Sequence, residues 1–219
     1  MAGATIAAGR SRKLPRIVPA HDLDKLFLYL RQAAGARLRR PGDVLRRPHQ
    51  CTTLLSVALL VSTGVRVTEL VSIRCQDIDL PGQSLRLLGK GRRERHVFVT
   101  NAWLTQFMDA YLEARSTLGL EHPQLLFNLR GRPLTAAAMR SRLLRATIEA
   151  GLSARVTPHM LRHTAATKLI EAGVDIRYIQ RLLGHASLTT TEIYTHVSDG
   201  ALRRVVADAD VLRRPLKQR

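Results

Sequence analysis

The sequence predicts a mainly helical α+β domain carrying one small three-stranded antiparallel sheet. Three observations point there. Apolar residues recur at helical spacing along most of the chain. Only the middle changes period: "QDIDL" (76–80), "QSLRLLG" (83–89) and "ERHVFVT" (94–100) are short and rich in β-formers. Pro81-Gly82 and a basic turn at 89–93 separate them, which makes three antiparallel strands. Finally, 219 residues that are 45% hydrophobic but only 4% aromatic suffice for one domain with an aliphatic core.

The elements follow in order. "PAHDLDKLFLYLRQAAG" (19–35) offers Asp22 as an N-cap, sets Leu23, Leu26, Phe27 and Leu30 on one face, and stops at Gly35. The Arg- and Pro-rich stretch "ARLRRPGDVLRRP" (36–48) reads as a loop. A strongly apolar helix covers 49–62 and ends at Ser62-Thr63-Gly64, and "VTELVSI" (67–73) forms a second, short one. Beyond the strands, helical patterns resume over 101–118 and 135–150. Thr157 caps and Pro158 opens a helix over 158–172, which Gly173 stops. Asp175 caps another that runs to Leu183 and stops at Gly184, and helices over 189–196 and, capped by Asp199, to 209 complete the chain. No internal repeat and no linker divides it.

Charge narrows the function. Lys and Arg outnumber Asp and Glu by 35 to 17, a formal charge of +18. A compact domain so charged repels itself unless a polyanion relieves it, so nucleic acid is the leading partner. A ribosome-associated protein, a membrane-surface protein and an Arg-rich genomic bias are the duller readings. Cys51 and Cys75 are too few for a disulfide framework or a zinc site. They read as a buried thiol and a thiol at the start of a strand, in a reducing compartment. The longest apolar run, "LLSVALLV" (54–61), falls short of the roughly 20 residues that span a bilayer. The N-terminus lacks the apolar stretch of a secretory signal and reads as a flexible basic tail over 1–13. The expectation is a soluble cytoplasmic, nucleoid-associated protein without membrane contact.

Several basic or titratable residues sit where elements begin or end, the usual place for functional groups. Arg66 follows Gly64 at a helix start, and Lys90 occupies the turn between two strands. His159 and Arg162, at i and i+3, share a face of a first helical turn. His185 follows a helix stop, and Tyr194 lies nine residues on. Each has a bland explanation: Arg66 pairing with Glu69, Lys90 as a solvated charge, His159 as a helix-start polar group, Tyr194 as a core residue with its hydroxyl satisfied.

As a set they match the needs of phosphoryl transfer from a DNA backbone. Pentacoordinate phosphorus carries negative charge on its non-bridging oxygens, which two guanidiniums can hold. A tyrosine phenol, with a pKa near about 10, needs a general base or a positive field before it attacks. The leaving 5′ oxygen needs a proton, and a lysine in a turn can deliver it. No Asp/Glu cluster of metal-binding type accompanies the set, which agrees with arginine doing the electrostatic work. No cofactor and no metal are expected.

"TGVRVTEL", "GKGRRERHVFV" and "HMLRHTAATKLIEAGVDIRYIQRLLGHASLTTTEIYTHV" resemble, in order and spacing, the motifs of the tyrosine recombinase (phage integrase) family, over roughly residues 14–200. The resemblance implies the catalytic-domain fold of that family over 14–198. It implies cleavage of one strand of each duplex through a 3′-phosphotyrosyl intermediate, release of a 5′ hydroxyl, and exchange through a Holliday junction. Carried over by position, Tyr194 is the nucleophile, and Arg66 and Arg162 hold the scissile phosphate. Lys90 resembles the general acid, His159 the acid/base partner and His185 the second phosphate-contacting and orienting group. Glu69 resembles the carboxylate that steadies Arg66, and Arg92, Arg93 and Arg95 are expected to bind DNA. The implied partners are double-stranded DNA with inverted half-sites, further copies of this chain as a dimer or tetramer on DNA, and accessory DNA-bending proteins.

Most family members carry a separate N-terminal helical domain of about 80–100 residues, a size typical of a small independent domain. Here "LPRIVPAHDLDKLFLYL" resembles the opening of the catalytic domain, as in the short fimbrial-switch invertases. Integration, excision, inversion and resolution all stay open. So do a type IB topoisomerase-like nicking-closing activity and a catalytically silent DNA-binding regulator on the same fold. The segment 199–219 reads as a helix and basic tail. Its stripe of Leu202, Val205, Val206, Ala209 and Leu212 packs either on its own domain or on a neighbouring protomer.

Overall fold

In the computed structural model, which describes residues 16–35, 38–89, 94–184, 198–213 and 215, the apolar run at 49–62 becomes the central helix. The chain runs α1 (Ala20–Ala34), α2 (Pro41–Arg46), α3 (Pro48–Thr63) and α4 (Val67–Ser72). A 3-10 turn (Cys75–Asp77), β1 (Ile78–Asp79), β2 (Ser84–Leu88) and β3 (Glu94–Phe98) follow. Then come α5 (Ala102–Thr117), α6 (Ala136–Glu149), α7 (Pro158–Glu171), α8 (Ile176–Leu183) and α9 (Asp199–Ala209). The mainly helical class with one small sheet is as expected.

Every residue of α3 from Cys51 to Thr63 is buried, and α1, α5, α6 and α7 pack around it. A helix apolar on all sides can only be a core helix in water. Its hydroxyls do not break the pattern, because Thr52, Ser56 and Thr63 donate to carbonyls four residues back at 2.8, 2.7 and 2.6 Å. Burial pushes the Cys51 thiol up to about 12, so it is the inert core cysteine expected. No described helix is long and apolar enough to cross a membrane.

Five expectations are corrected. The stretch 36–48 is not all loop, since α2 forms within it. Pro41 suits a first helical turn, and the Asp43 carboxylate accepts from the Arg39 and Arg40 N–H groups at 3.3 Å each. So short a helix shows no periodicity. Asp22 does not cap α1, which starts after Pro19; Asp22 is buried in the first turn instead, where the helix dipole favours a carboxylate. The predicted strand at 76–80 shrinks to β1, because the Asp77 carboxylate accepts from the Arg74 N–H at 3.2 Å and winds the chain into the 3-10 turn. Cys75 therefore opens that turn, half-buried, rather than a strand. Ser198, not Asp199, caps α9, its hydroxyl accepting from the Ala201 N–H at 3.1 Å. The helix predicted over 189–196 lies outside the described residues, as do Lys90 to Arg93 of the basic turn.

The sheet is antiparallel in the order β1-β2-β3, with Leu85 opposite Val97 and Leu87 opposite Arg95. Pleating sends Leu85, Leu87 and Val97 to the core and Arg86 and His96 outward. Arg95 shares the inward face.

The tail stripe packs on its own domain. Leu202, Val206 and Leu212 join the main core, and α9 rests on β3 and α7. Polar contacts fasten both ends: Arg181 donates to the Asp199 carboxylate at 2.6 Å, and the Asn101 amide to Asp210 at 2.8 Å. Leu202→Ala should therefore lower stability by about 2–5 kcal/mol, the usual cost of a core cavity. A urea titration checks this; an unshifted midpoint would mean that α9 is not part of the folded unit.

Candidate active site

The site begins where α3 ends. Gly64 terminates that helix with φ +63°, a left-handed conformation, and a Cβ there would stand 2.6 Å from a methyl of Leu183. The reversal places Arg66 at the N-cap of α4. Its N–H donates to Glu69 Oε2 at 2.8 Å, its Nη1 to Glu69 Oε1 at 3.1 Å, and its Nη2 to the Gly184 carbonyl at 3.2 Å. The pairing of Arg66 with Glu69 foreseen as the bland reading is real, and it leaves the Arg66 side chain 44% exposed. One reading does not exclude the other.

Glu69 is buried. Burial pushes its carboxyl upward, but hydrogen bonds from Arg95 and the Arg66 N–H, with the charges of both arginines, overcome this and bring it to about 2. It is ionised throughout the neutral and mildly acidic range. The stability it contributes is present above the ordinary carboxylate pKa and is lost only as pH falls toward about 2.

Arg162 arrives from α7, which Thr157 caps by accepting from the Met160 N–H at 3.2 Å, with Pro158 at the first position. The residue is only 6% exposed. Its Nη1 donates to the Gly64 carbonyl at 2.6 Å and its Nη2 to the Leu183 carbonyl at 2.7 Å. Burial, with the charges of Arg66 and Arg95 and against that of Glu69, lowers its pKa to about 10, so it stays cationic at neutral pH.

His159 sits exposed on the first turn of α7. Its Nε2 lies 2.8 Å from Nε2 of His163, the rings edge-on with centroids 4.2 Å apart. Burial, and then the charges of His159 and Arg162, hold His163 below the ordinary histidine range, so it is neutral near pH 7. With its Nε2 so engaged, His159 has Nδ1 as the ring nitrogen available to a ligand.

Arg66, His159 and Arg162 line one open cleft of about 470 Å³. Arg140 of α6 and Arg155, just before α7, line it too, and sequence reasoning missed both. Arg140 lies in an Arg-rich helix that reads as a solvated face, and Arg155 carries no motif. The cleft gathers four arginines, a histidine and the N-terminal end of α7, an arrangement able to hold a phosphate diester.

The remaining expectations divide. Glu69 holds Arg66 through two hydrogen bonds. Arg95 does not join the exposed set expected to bind DNA, because its Nη1 and Nη2 donate to the two Glu69 oxygens at 2.8 Å each and its Nε to the Leu182 carbonyl at 3.2 Å. The alternation Arg95-His96-Val97 carried the signal: a residue two before a core valine points inward. Lys90, Arg92, Arg93, His185 and Tyr194 lie outside the described residues.

A helical domain that brings four arginines and a histidine to one cleft is suited to the phosphates of a nucleic-acid backbone. The chain belongs to the phage integrase family, which residues 33–200 match. It is 38% identical over 205 residues to tyrosine recombinase XerD of Mycobacterium leprae, covering 90% of this chain and 62% of the relative. It is 42% identical over 198 residues to tyrosine recombinase XerC of Listeria welshimeri, covering 87% and 61%. Among solved structures it resembles the XerH site-specific recombinase bound to difH substrate in a pre-cleavage complex. There the TM-score is 0.66 at 27% identity, over 90% of this chain and 55% of that one. This chain thus spans a little over three-fifths of the length of the curated relatives it matches.

Proposed function

We propose that this chain is a site-specific DNA recombinase that cleaves and rejoins strands through a 3′-phosphotyrosyl intermediate and a Holliday junction. The Tyr194 oxygen attacks the scissile phosphorus, and a P–O bond to tyrosine forms as the bond to the 5′ oxygen breaks. The phenol proton passes to His159, and the departing oxygen takes a proton from Lys90. Arg66 and Arg162, with His185, carry the negative charge on the non-bridging oxygens, and Glu69 steadies Arg66. The strand is rejoined when a 5′ hydroxyl attacks the phosphotyrosine. Substrate is double-stranded DNA with inverted half-sites, on which copies of the chain assemble as a dimer or tetramer, aided by accessory DNA-bending proteins. The protein works in the cytoplasm, at the nucleoid.

The observation that supports this most is the meeting of Arg66, His159 and Arg162 in one cleft. The family membership supports reading strand-transfer chemistry into that cleft. The test uses duplexes carrying inverted half-sites with a nick placed so that the cleaved strand end diffuses away. An SDS-resistant protein–DNA adduct with a free 5′ hydroxyl on the departing fragment is expected. DNA bound without any adduct would mark a silent regulator, and relaxation of supercoiled plasmid lacking such sites would mark a nicking-closing enzyme. Either result overturns the proposal.

A further inference from the structure

Three consecutive carbonyls at the end of α8 each accept from a different arginine. Leu182 takes Arg95 Nε at 3.2 Å, Leu183 takes Arg162 Nη2 at 2.7 Å, and Gly184 takes Arg66 Nη2 at 3.2 Å. The last carbonyls of a helix have no partner within it and carry the negative end of its dipole, so guanidiniums are apt caps. Here the caps come from β3, α7 and the N-cap of α4. Glu69 ties two of the three together, since each of its oxygens accepts from both Arg95 and Arg66.

Arg95 differs from the other two. Its side chain is 14% exposed against 44% for Arg66, and it is no part of the cleft wall. All three of its guanidinium nitrogens are engaged by Glu69 and α8. Gly184 makes room for it: a Cβ there would stand 3.1 Å from Arg95 Cζ and Nε.

We propose that Arg95 is a positioning residue for strand cleavage, locking Glu69 and the end of α8 together so that Arg66 and Arg162 meet the phosphate in one fixed geometry, without itself touching DNA. The inference rests on the reading of Arg66 and Arg162 as phosphate ligands. Preorganised donors stabilise a transition state better than donors that must first be arranged, so a loosened Arg66 costs rate more than affinity. The charged groups facing Glu69 are Arg66 from α4, Arg95 from β3 and Arg162 from α7. Without Arg95 the burial that raises the Glu69 carboxyl loses its strongest opponent, so Glu69 takes up a proton at higher pH and releases its hold on Arg66.

The test is single-turnover cleavage of nicked half-site duplexes by the full chain, with Kd measured alongside. Arg95→Met should slow the maximal rate by roughly tenfold to a hundredfold, the scale of a slightly misplaced catalytic group. Kd should change less than about twofold, as expected when only transition-state interactions are lost. The fall in rate at low pH should also set in at a higher pH than in the parent protein. Arg95→Lys should restore part of the rate, and adding Glu69→Gln to Arg95→Met should cost little more. A rate and pH profile like the parent's would overturn the proposal. So would a loss confined to Kd, which would make Arg95 a DNA contact. If Arg95→Met does not fold, Arg95→Lys decides alone: a slower rate at unchanged Kd supports the proposal, and an unchanged rate overturns it. Arg162→Ala runs in parallel. Should it cleave like the parent, the reading of the cleft fails; should it fail to cleave while Arg95→Met cleaves normally, only the role of Arg95 does.

Discussion

Tyr194→Phe should bind DNA like the parent protein and form no SDS-resistant adduct. The loss is expected to be complete, because a benzene ring without its oxygen cannot join phosphorus. The other three tyrosines are disposed for other work. Tyr111 is fully buried, its hydroxyl 2.7 Å from that of Thr52, and burial holds its pKa well above the ordinary value. Tyr29 donates to the Glu149 carboxylate, which raises its pKa, and Tyr178 packs half-buried against the core. None of these three lines the arginine cleft. Adduct formation by the parent should also proceed in EDTA and without ATP, since the phosphotyrosine conserves the energy of the broken bond. An adduct that survives Tyr194→Phe would require a different nucleophile.

The second large effect separates two cations. Arg162→Ala should slow cleavage by about 10²–10³, the usual loss when one donor to a developing oxyanion is removed. It should also lower stability by about 1–3 kcal/mol, because the carbonyls of Gly64 and Leu183 lose their donors. Lys90→Ala should also slow cleavage. A 5′-bridging phosphorothiolate leaves without a proton. It should rescue Lys90→Ala and fail to rescue Arg162→Ala, whose proposed task is to hold charge on the non-bridging oxygens. Equal rescue of both variants would contradict this division of labour.

What could be read from the chain, and what could not, follows from the range of the interactions. Helices marked by a long apolar run or by caps, such as α3, α7 and α8, are placed within a residue or two because their signals are local. The six-residue α2 was invisible, since its cue is one carboxylate accepting two N–H groups rather than any periodicity. Arg66, Glu69, His159 and Arg162 stood out through residue type, position at element starts and family resemblance. Arg140 and Arg155 did not, because nothing local says that α6 and the lead into α7 share a wall with Arg66. Arg95 shows the opposite limit. Arginine in a basic stretch suggests DNA, and only its partnership with Glu69, 26 residues away, shows that the charge is already matched. The tail stripe was ambiguous for similar reasons: an amphipathic helix declares an apolar face, but its partner surface has to be seen.

The most direct measurement is to map the covalent bond itself. The adduct formed on a nicked half-site duplex is digested with trypsin and nuclease, and the nucleotide-bearing peptide is sequenced by mass spectrometry. Cleavage after Arg181 and Arg203 releases residues 182–203, in which Tyr194 is the sole tyrosine. The expected product is that peptide carrying a nucleotide on Tyr194 through its 3′ phosphate. A nucleotide on any other residue, or one joined through a 5′ phosphate, would contradict the assignment of this cleft.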